Sequence, residues 1–512
     1  MPFVGTILQE ILKFTKSRRS KRIVLGAHLQ DQTLRKLMRK AQFTQFGQKN
    51  DFARLLKTRN ITTYFNKNVP YYDYNSLYKE WWHKTIEGEE NVCWPGKIKY
   101  FALTSGTSEA ASKRVPVSKE LIRQIRKTSI RQMMTIPDFG FGPEFYEKSI
   151  LGIGGSASLN RIASGFEGDL SGIMQARLPV WIQGTYKPGK KITQIKSWEQ
   201  KLDALAVEAP KWDVGIVAGV PAWVQLAIER IIDRHNVKNI HEIWPNFNIY
   251  VHGGVAFAPY SESFKKLLGH QMQFLDTYLA SEGFMAFQSS HNKLGMELVM
   301  DNGIYFEFVP FNENNFDADG NIKSNVQVLT LREIEKEVDY AILISTCAGT
   351  WRYLIGDTIR FKSLETFELI ITGRTKHFLS LCGEHLSVDN MNMAIKKVAA
   401  ESGLIINEYA VAGKPHEGLF AHHWYIGADR PFDIAGMKQK IDQYLKELND
   451  DYVVERRHAL KDIFIHQVPL HDFYGFMKSK GKLGGQHKFP RVLKGKMLED
   501  WDAFIAHKLI VK

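Results

Sequence analysis

Apolar residues recur three and four positions apart over residues 30–41, with Asp31 near the start, and this spacing predicts an amphipathic helix. Residues 1 to about 65 read as helical, and a turn at 69–74 precedes another helix over 75–87. The pattern then changes. Residues 98–103 are a short apolar run that predicts a strand, and it leads straight into a hydroxyl-rich loop. A long helix is expected to start near Ser118, with Glu120 in its first turn. The loop is therefore expected between a strand and a helix.

From 149 to 260 short apolar runs alternate with helical patterns. Residues 149–155, 214–221 and 248–254 each read as a strand running into a glycine-containing turn, and 223–235 is a strongly periodic helix. This alternation predicts an α/β domain with a mainly parallel sheet. Further strands are expected at 273–278, 303–309, 339–345 and 367–374, with 303–309 and 326–331 paired as a hairpin around the polar loop 312–321. A helix over 389–402 and then strand, strand, helix, strand, helix suit a small α+β cap. The expected division is a large N-terminal domain, 1–378, and a small C-terminal one, 379–512.

The 512 residues are too many for one ordinary core, and 44% hydrophobic with 24% charged residues is the composition of a globular protein. The formal net charge is +13. Lysine and arginine are spread along the chain beside Asp and Glu, so a solvated surface with a positive cleft is favoured over nucleic-acid or membrane-surface binding. The one dense basic cluster, Lys13, Lys16, Arg18, Arg19, Lys21 and Arg22, follows an apolar-periodic stretch, so a signal peptide is not expected. Cys93, Cys347 and Cys382 are far apart and odd in number, which argues against disulfides or a zinc site and fits a cytoplasmic protein. No apolar run reaches the roughly 18 residues of a membrane span.

The candidate chemistry begins in the loop at 103–113, Leu-Thr-Ser-Gly-Thr-Ser-Glu-Ala-Ala-Ser-Lys. It lacks the Gly-Lys-[Ser/Thr] ending of a Walker A motif. Thr104, Ser105, Thr107 and Ser108 around Gly106 nevertheless offer hydroxyls and backbone N–H groups to a polyphosphate, and Lys113 offers a cation for a leaving pyrophosphate. Glu282, after the 273–278 strand, suits Mg²⁺, with Tyr278 beside it offering a flat face for adenine. Asp357 follows a glycine after an apolar strand and can accept ribose hydroxyls. Arg374 ends the next strand and can reach the same ribose or an α-phosphate. Near the C-terminus a basic loop, 484–496, holds Lys488 and Lys496. His422 and His423 have no ligand-like neighbours in sequence, and neither Gly-x-Ser-x-Gly nor HExxH occurs.

Together, residues 103–113, 276–282 and 350–357 resemble the acyl-adenylate-forming enzymes. The closer resemblance is to the acyl-acid amido synthetases of the auxin-responsive-promoter family, with support from 88–96, 305–310 and 485–491. It implies a large N-terminal and a small mobile C-terminal domain, and an ATP- and Mg²⁺-dependent ligase. A carboxylic acid is converted to its acyl-adenylate and then passed to an amine or amino acid. Ser105, Thr107 and Ser108 would hold phosphates; Gly253, Thr277 and Tyr278 the nucleotide; Glu282 the Mg²⁺; Asp357 the ribose; Lys488 the α-phosphate. The loop departs from the family pattern at Glu109-Ala110-Ala111, where glycine is common. Residues 490–497 also resemble the terminal lysine motif of acyl-CoA synthetases, so Lys496 competes with Lys488 and thioester formation competes with amide formation. A non-enzymatic basic binding protein on the same scaffold is the third reading. Phe139, Phe141, Phe145, Leu159, Phe166 and Leu170 are candidates for the acid pocket, and a monomer is expected.

Overall fold

The computed structural model describes residues 5–7, 9, 10, 12, 26–104, 113–179, 182–255, 257, 260–290, 293, 295–317, 320–376, 378, 379, 381, 382, 384, 386–480 and 489–510. The chain forms two compact units. The larger lies within Met1–Thr104, Arg114–Phe257 and Phe264–Thr375; the smaller is made mainly of Lys376–Lys512 with Ala258–Ser263.

The larger unit is built on an eleven-stranded sheet. One half is parallel: Tyr186–Lys187, Ser149–Ile153, Val214–Gly219, Ile249–Gly253 and Gln273–Ala280 lie side by side in that order. Their runs of Val, Ile and Leu are buried because helices such as Pro221–His235 carry the crossovers. The other half, Gly283–Phe287, Met296–Leu298, Glu368–Arg374, Tyr353–Ser363, Asp339–Thr346 and Ile304–Pro310, is antiparallel throughout. The sheet is thus mixed and not mainly parallel. No helix separates the last three of these strands in sequence, and antiparallel neighbours need only short turns.

The helix Gly26–Ala41 buries Leu34, Leu37, Met38 and Ala41. It is tied to the sheet by Gln30, whose amide donates to the Met300 and Ile304 carbonyls at 2.8 and 3.0 Å. The helix expected over 75–87 is broken by a π-helical turn, Tyr78–Trp82, that sets the consecutive Trp81 and Trp82 both into the core. The 326–331 stretch forms only an isolated bridge, Phe308 to Leu329, on the outer edge of Ile304–Pro310, whose full-length partner is Asp339–Thr346.

A separate four-stranded sheet has the order Lys113–Val117, Tyr100–Thr104, Gly165–Gly168, Asn160–Ile162. The hydroxyl-rich segment therefore joins two neighbouring strands. It does not lead directly into a helix; the helix Lys119–Met133 begins beyond the second strand, capped by the Ser118 hydroxyl.

In the smaller unit a sheet ordered Leu460–Gln467, Leu419–Ala428, Ile406–His416, Val492–Leu493 is covered on both faces. Trp424, Ile426, Ile463 and Ile465 pack against Val388–Ser402 and Ile434–Leu448. Ala410, Ala412 and Tyr425 pack against Leu470–Ser479 and Gly495–Ile510 through Phe473, Phe476 and Trp501.

Candidate nucleotide and acyl site

Strand pairing assembles the site. Asp357 and Arg374 are cross-strand partners. The Arg374 guanidinium lies 2.9 Å from Asp357 Oδ1, and its Nη2 donates to the Ile355 carbonyl at 3.2 Å. The other carboxylate oxygen, Oδ2, accepts from the Tyr278 hydroxyl at 2.6 Å. Gly356, just before Asp357, has φ +88°, a left-handed geometry that glycine adopts without strain, and its carbonyl accepts from Thr375 N at 2.8 Å. Arg374 is held in its charged form: burial is the largest single influence and works against it, but Asp357, Tyr278, Tyr353 and Glu282 together outweigh the burial. Tyr278 is pushed well above the ordinary phenol range by burial and then by the Asp357 charge.

Ala280 pairs with Gly283, so Ser281 and Glu282 form the two-residue turn between Gln273–Ala280 and Gly283–Phe287. Glu282 is only 6% exposed, and its charge is felt at Tyr278, Tyr353 and Arg374. The turn delivers a carboxylate to the edge of the Tyr278–Asp357–Arg374 cluster.

On the neighbouring strand, Gly253 is opposite Thr277. A Cβ there would stand 2.5 Å from the Thr277 carbonyl oxygen, so glycine is required by close approach of the backbones. The Thr277 hydroxyl donates to the His252 carbonyl. The His252 ring and Asp276 are 3.4 Å apart beside them, a pair the sequence did not single out.

Tyr278 does not offer its ring as expected. It is 4% exposed and packs in the main core, and alternation along the strand turns its ring inward and leaves its hydroxyl toward Asp357. Thr104 ends its strand half-buried, and Lys113 opens the next, also half-buried and partnered. Ser105, Gly106, Thr107 and Ser108, and Lys488, lie outside the described residues. Lys496 is 81% exposed, 3.1 Å from Asp500, whose charge raises its pKa.

The proposed acid-pocket residues do not line one cavity. Phe139, Phe141 and Phe145 cluster with Ile216, Ile249 and Leu275; Leu159 and Leu170 join the main core; Phe166 is 39% exposed and stacks on Tyr100. His422 and His423 point to opposite faces of their strand. His422 is fully buried, 3.0 Å from the Glu384 carboxylate, which also accepts from the N–H groups of Leu381 and Cys382. His423 Nδ1 is 2.9 Å from His466 Nε2. Among the described residues no three His, Cys, Asp or Glu side chains converge as a metal site.

Comparison with known proteins shows the family. The chain matches the GH3 family N-terminal domain over residues 25–150 and 159–272, the GH3 family central domain over 297–373 and the GH3 family C-terminal domain over 389–496. It is 27% identical over 276 residues to an indole-3-acetic acid-amido synthetase of Arabidopsis thaliana, covering 49% of this chain and 45% of that one. It is 27% identical over 272 residues to a jasmonoyl–L-amino acid synthetase of Nicotiana attenuata, again covering 49% and 45%. The matched stretch thus spans less than half the length of these curated relatives. In three dimensions it resembles an acyl acid amido synthetase solved with 2,4-DB, with a TM-score of 0.60 and 16% identity over 96% of each chain. It also resembles a 2-hydroxyisobutyryl-CoA ligase solved with 2-HIB-AMP and CoA, with a TM-score of 0.56 and 12% identity over 97% of this chain and 93% of that one. These likenesses show the adenylate-forming fold, and the family domains together account for most of the sequence: the chain belongs to the GH3 family.

Proposed function

We propose that the protein is an ATP-dependent acyl-acid amido synthetase. The observation that carries this reading is the Tyr278–Asp357–Arg374 cluster with the buried Glu282 at its edge, in a chain of this family. Asp357, oriented by Tyr278 and Arg374, keeps acceptor capacity for the ribose hydroxyls, because a carboxylate accepts about four hydrogen bonds. Arg374 would offer its guanidinium to an α-phosphate or the same ribose. Gly253 and Thr277 frame the nucleotide, and Thr104 and Lys113 flank the segment proposed to hold the pyrophosphate, Ser105–Ser108.

The donor set fits Mg²⁺. Glu282 is one hard oxygen ligand, and Mg²⁺ characteristically takes one or two carboxylates and completes its shell with phosphate oxygens and water. Bound there, it would neutralise charge that develops on the phosphates. The substrate carboxylate attacks the α-phosphorus of ATP, the bond to the bridging oxygen of pyrophosphate breaks, and an acyl-adenylate forms. An amine then attacks the acyl carbon and AMP leaves. The protein's contribution would be charge at the α-phosphate from Arg374 and Lys113, with Lys488 or Lys496 as the lysine that acts during adenylation.

The 2-hydroxyisobutyryl-CoA ligase shares the scaffold, so CoA is the second acceptor to test. Incubation with carboxylic acids, ATP and Mg²⁺ should release pyrophosphate without any amine. Mass analysis after adding mixed amino acids or CoA then identifies the product. An amide supports the proposal; a thioester alone replaces it with the ligase reading. Among the described residues no helix is long and apolar enough to cross a membrane, and all three thiols are buried and free; a cytoplasmic monomer is part of the proposal.

A further inference from the structure

The five parallel strands of the larger unit occur in the chain as Ser149–Ile153, Tyr186–Lys187, Val214–Gly219, Ile249–Gly253 and Gln273–Ala280. Across the sheet they stand second, first, third, fourth, fifth. The winding therefore reverses between Ser149–Ile153 and Val214–Gly219. In open parallel sheets a ligand crevice forms outside the carboxyl ends of the strands at such a reversal. Here those ends are Gly154–Gly155 and Gly219–Val220.

A lysine is buried at this point. Lys201, in the first turn of the helix Trp198–Glu208, is 4% exposed. Its Nζ donates to the Gly154 carbonyl at 3.1 Å, its one hydrogen bond among the described residues, although an ammonium has three to give. The Trp198 ring centroid is 5.6 Å away. Burial pulls the Lys201 pKa down to about 8, against the charge of Asp169. Gln175 flanks the same turn, its Nε2 3.8 Å from where a Gly154 Cβ would stand; its side chain hydrogen-bonds the Tyr186 hydroxyl, while its Oε1 is buried without a hydrogen-bond partner among the described residues. Ser171 accepts from Gly155 N at 2.9 Å and holds the turn in place. Buried donors and acceptors left unmatched are costly unless something pairs with them.

We propose that this crevice receives the far end of the carboxylic acid substrate, and that Lys201, with Gln175, selects acids bearing an oxygen function there. The proposal rests on the acyl-activating reading. A hydroxyl would accept from Lys201 and donate to Gln175; a carboxylate would pair with Lys201. The Gly253 end, proposed above to frame the nucleotide whose α-phosphate the carboxylate attacks, is two strand spacings away, about 10 Å. A medium-chain acid with an oxygen at its far end spans that distance.

Titration calorimetry without ATP tests this with octanoate, 8-hydroxyoctanoate and octanedioate. At least one oxygenated acid is expected to bind tenfold or more tightly than octanoate. Lys201→Met should abolish that preference while leaving octanoate within twofold and unfolding cooperative. A stronger hydroxy acid assigns the site to a hydroxyl, a stronger diacid to a second carboxylate. The proposal is overturned if octanoate binds as well as both, if none binds, or if Lys201→Met weakens all three alike, since the lysine would then only secure the turn. A Lys201-dependent preference without acid-dependent pyrophosphate release would instead overturn the acyl-activating reading and leave only a binding site for oxygenated acids.

Discussion

Asp357 and Arg374 face each other across neighbouring antiparallel strands, carboxylate to guanidinium at 2.9 Å. The same carboxylate takes the Tyr278 hydroxyl at 2.6 Å from a strand elsewhere in the sheet. The carboxylate proposed to hold the ribose is thereby fixed from two sides before any ligand arrives, which would lower the ordering cost of binding.

Removing either support should cost both stability and ATP affinity. Tyr278→Phe deletes one hydrogen bond to a charged group, worth about 1.5–3 kcal/mol, measurable by chemical denaturation. Arg374→Lys keeps the charge but loses the planar fork. It is expected to weaken ATP binding about tenfold by calorimetry, and unchanged binding would remove Arg374 from the nucleotide site.

Gly253→Ala places a methyl group 2.5 Å from the Thr277 carbonyl oxygen. Both groups belong to paired backbones, so the strands must separate. A loss of about 1–3 kcal/mol is expected, with ATP affinity falling more than acid affinity. A Gly253→Ala protein as stable and active as the parent would show that the strands are free to give.

Lys201 makes stability depend on pH in an unusual direction. Its pKa is about 8 folded and about 10.4 unfolded. Below pH 8 the cost of burying the cation is fully present. As pH rises from 8 toward 10.4 the unfolded state binds more protons, and the folded state gains on it. Lys201→Met should therefore be more stable than the parent at pH 7, by up to about 3 kcal/mol, and the gap should narrow by pH 9.5. Paired denaturation curves read this directly, and the titrations common to both proteins cancel.

The acid limb is assigned to the other end of the chain. Burial, reinforced by Lys414 and His466 and opposed by Asp502, lowers the His423 pKa to about 4. Its stabilisation is complete above the unfolded value of about 6.5 and is lost as pH falls toward 4. His423→Gln should flatten stability across that window by about 2 kcal/mol. An unaltered acid limb would place its origin elsewhere.

Several of these features could be read in the sequence and others could not, for physical reasons. The 149–155, 214–221 and 248–254 runs were legible because buried parallel strands are continuous apolar segments ending in turns. Glu282 was legible as a carboxylate just beyond an apolar strand, whereas Asp357, expected after a strand, lies within Tyr353–Ser363. The Asp357–Arg374 contact was not, because cross-strand register depends on pairing distant in sequence. Neither was the inward turn of the Tyr278 ring, which depends on strand phase. Trp81 and Trp82 looked like part of one helix because a π turn has no local signature of its own. Lys201 is not legible in the sequence because a lysine in an amphipathic helix ordinarily faces water; only the fold places it under the Gly154 turn.

The central claim is acid activation by ATP at the Glu282–Asp357–Arg374 site, and acid-dependent exchange of labelled pyrophosphate into ATP measures it most directly. The parent protein should catalyse exchange with at least one carboxylic acid, only with Mg²⁺, and without any amine. Glu282→Gln and Asp357→Ala should each reduce exchange a hundredfold or more. Absence of exchange across a broad acid panel, or full exchange in both variants, would contradict the account.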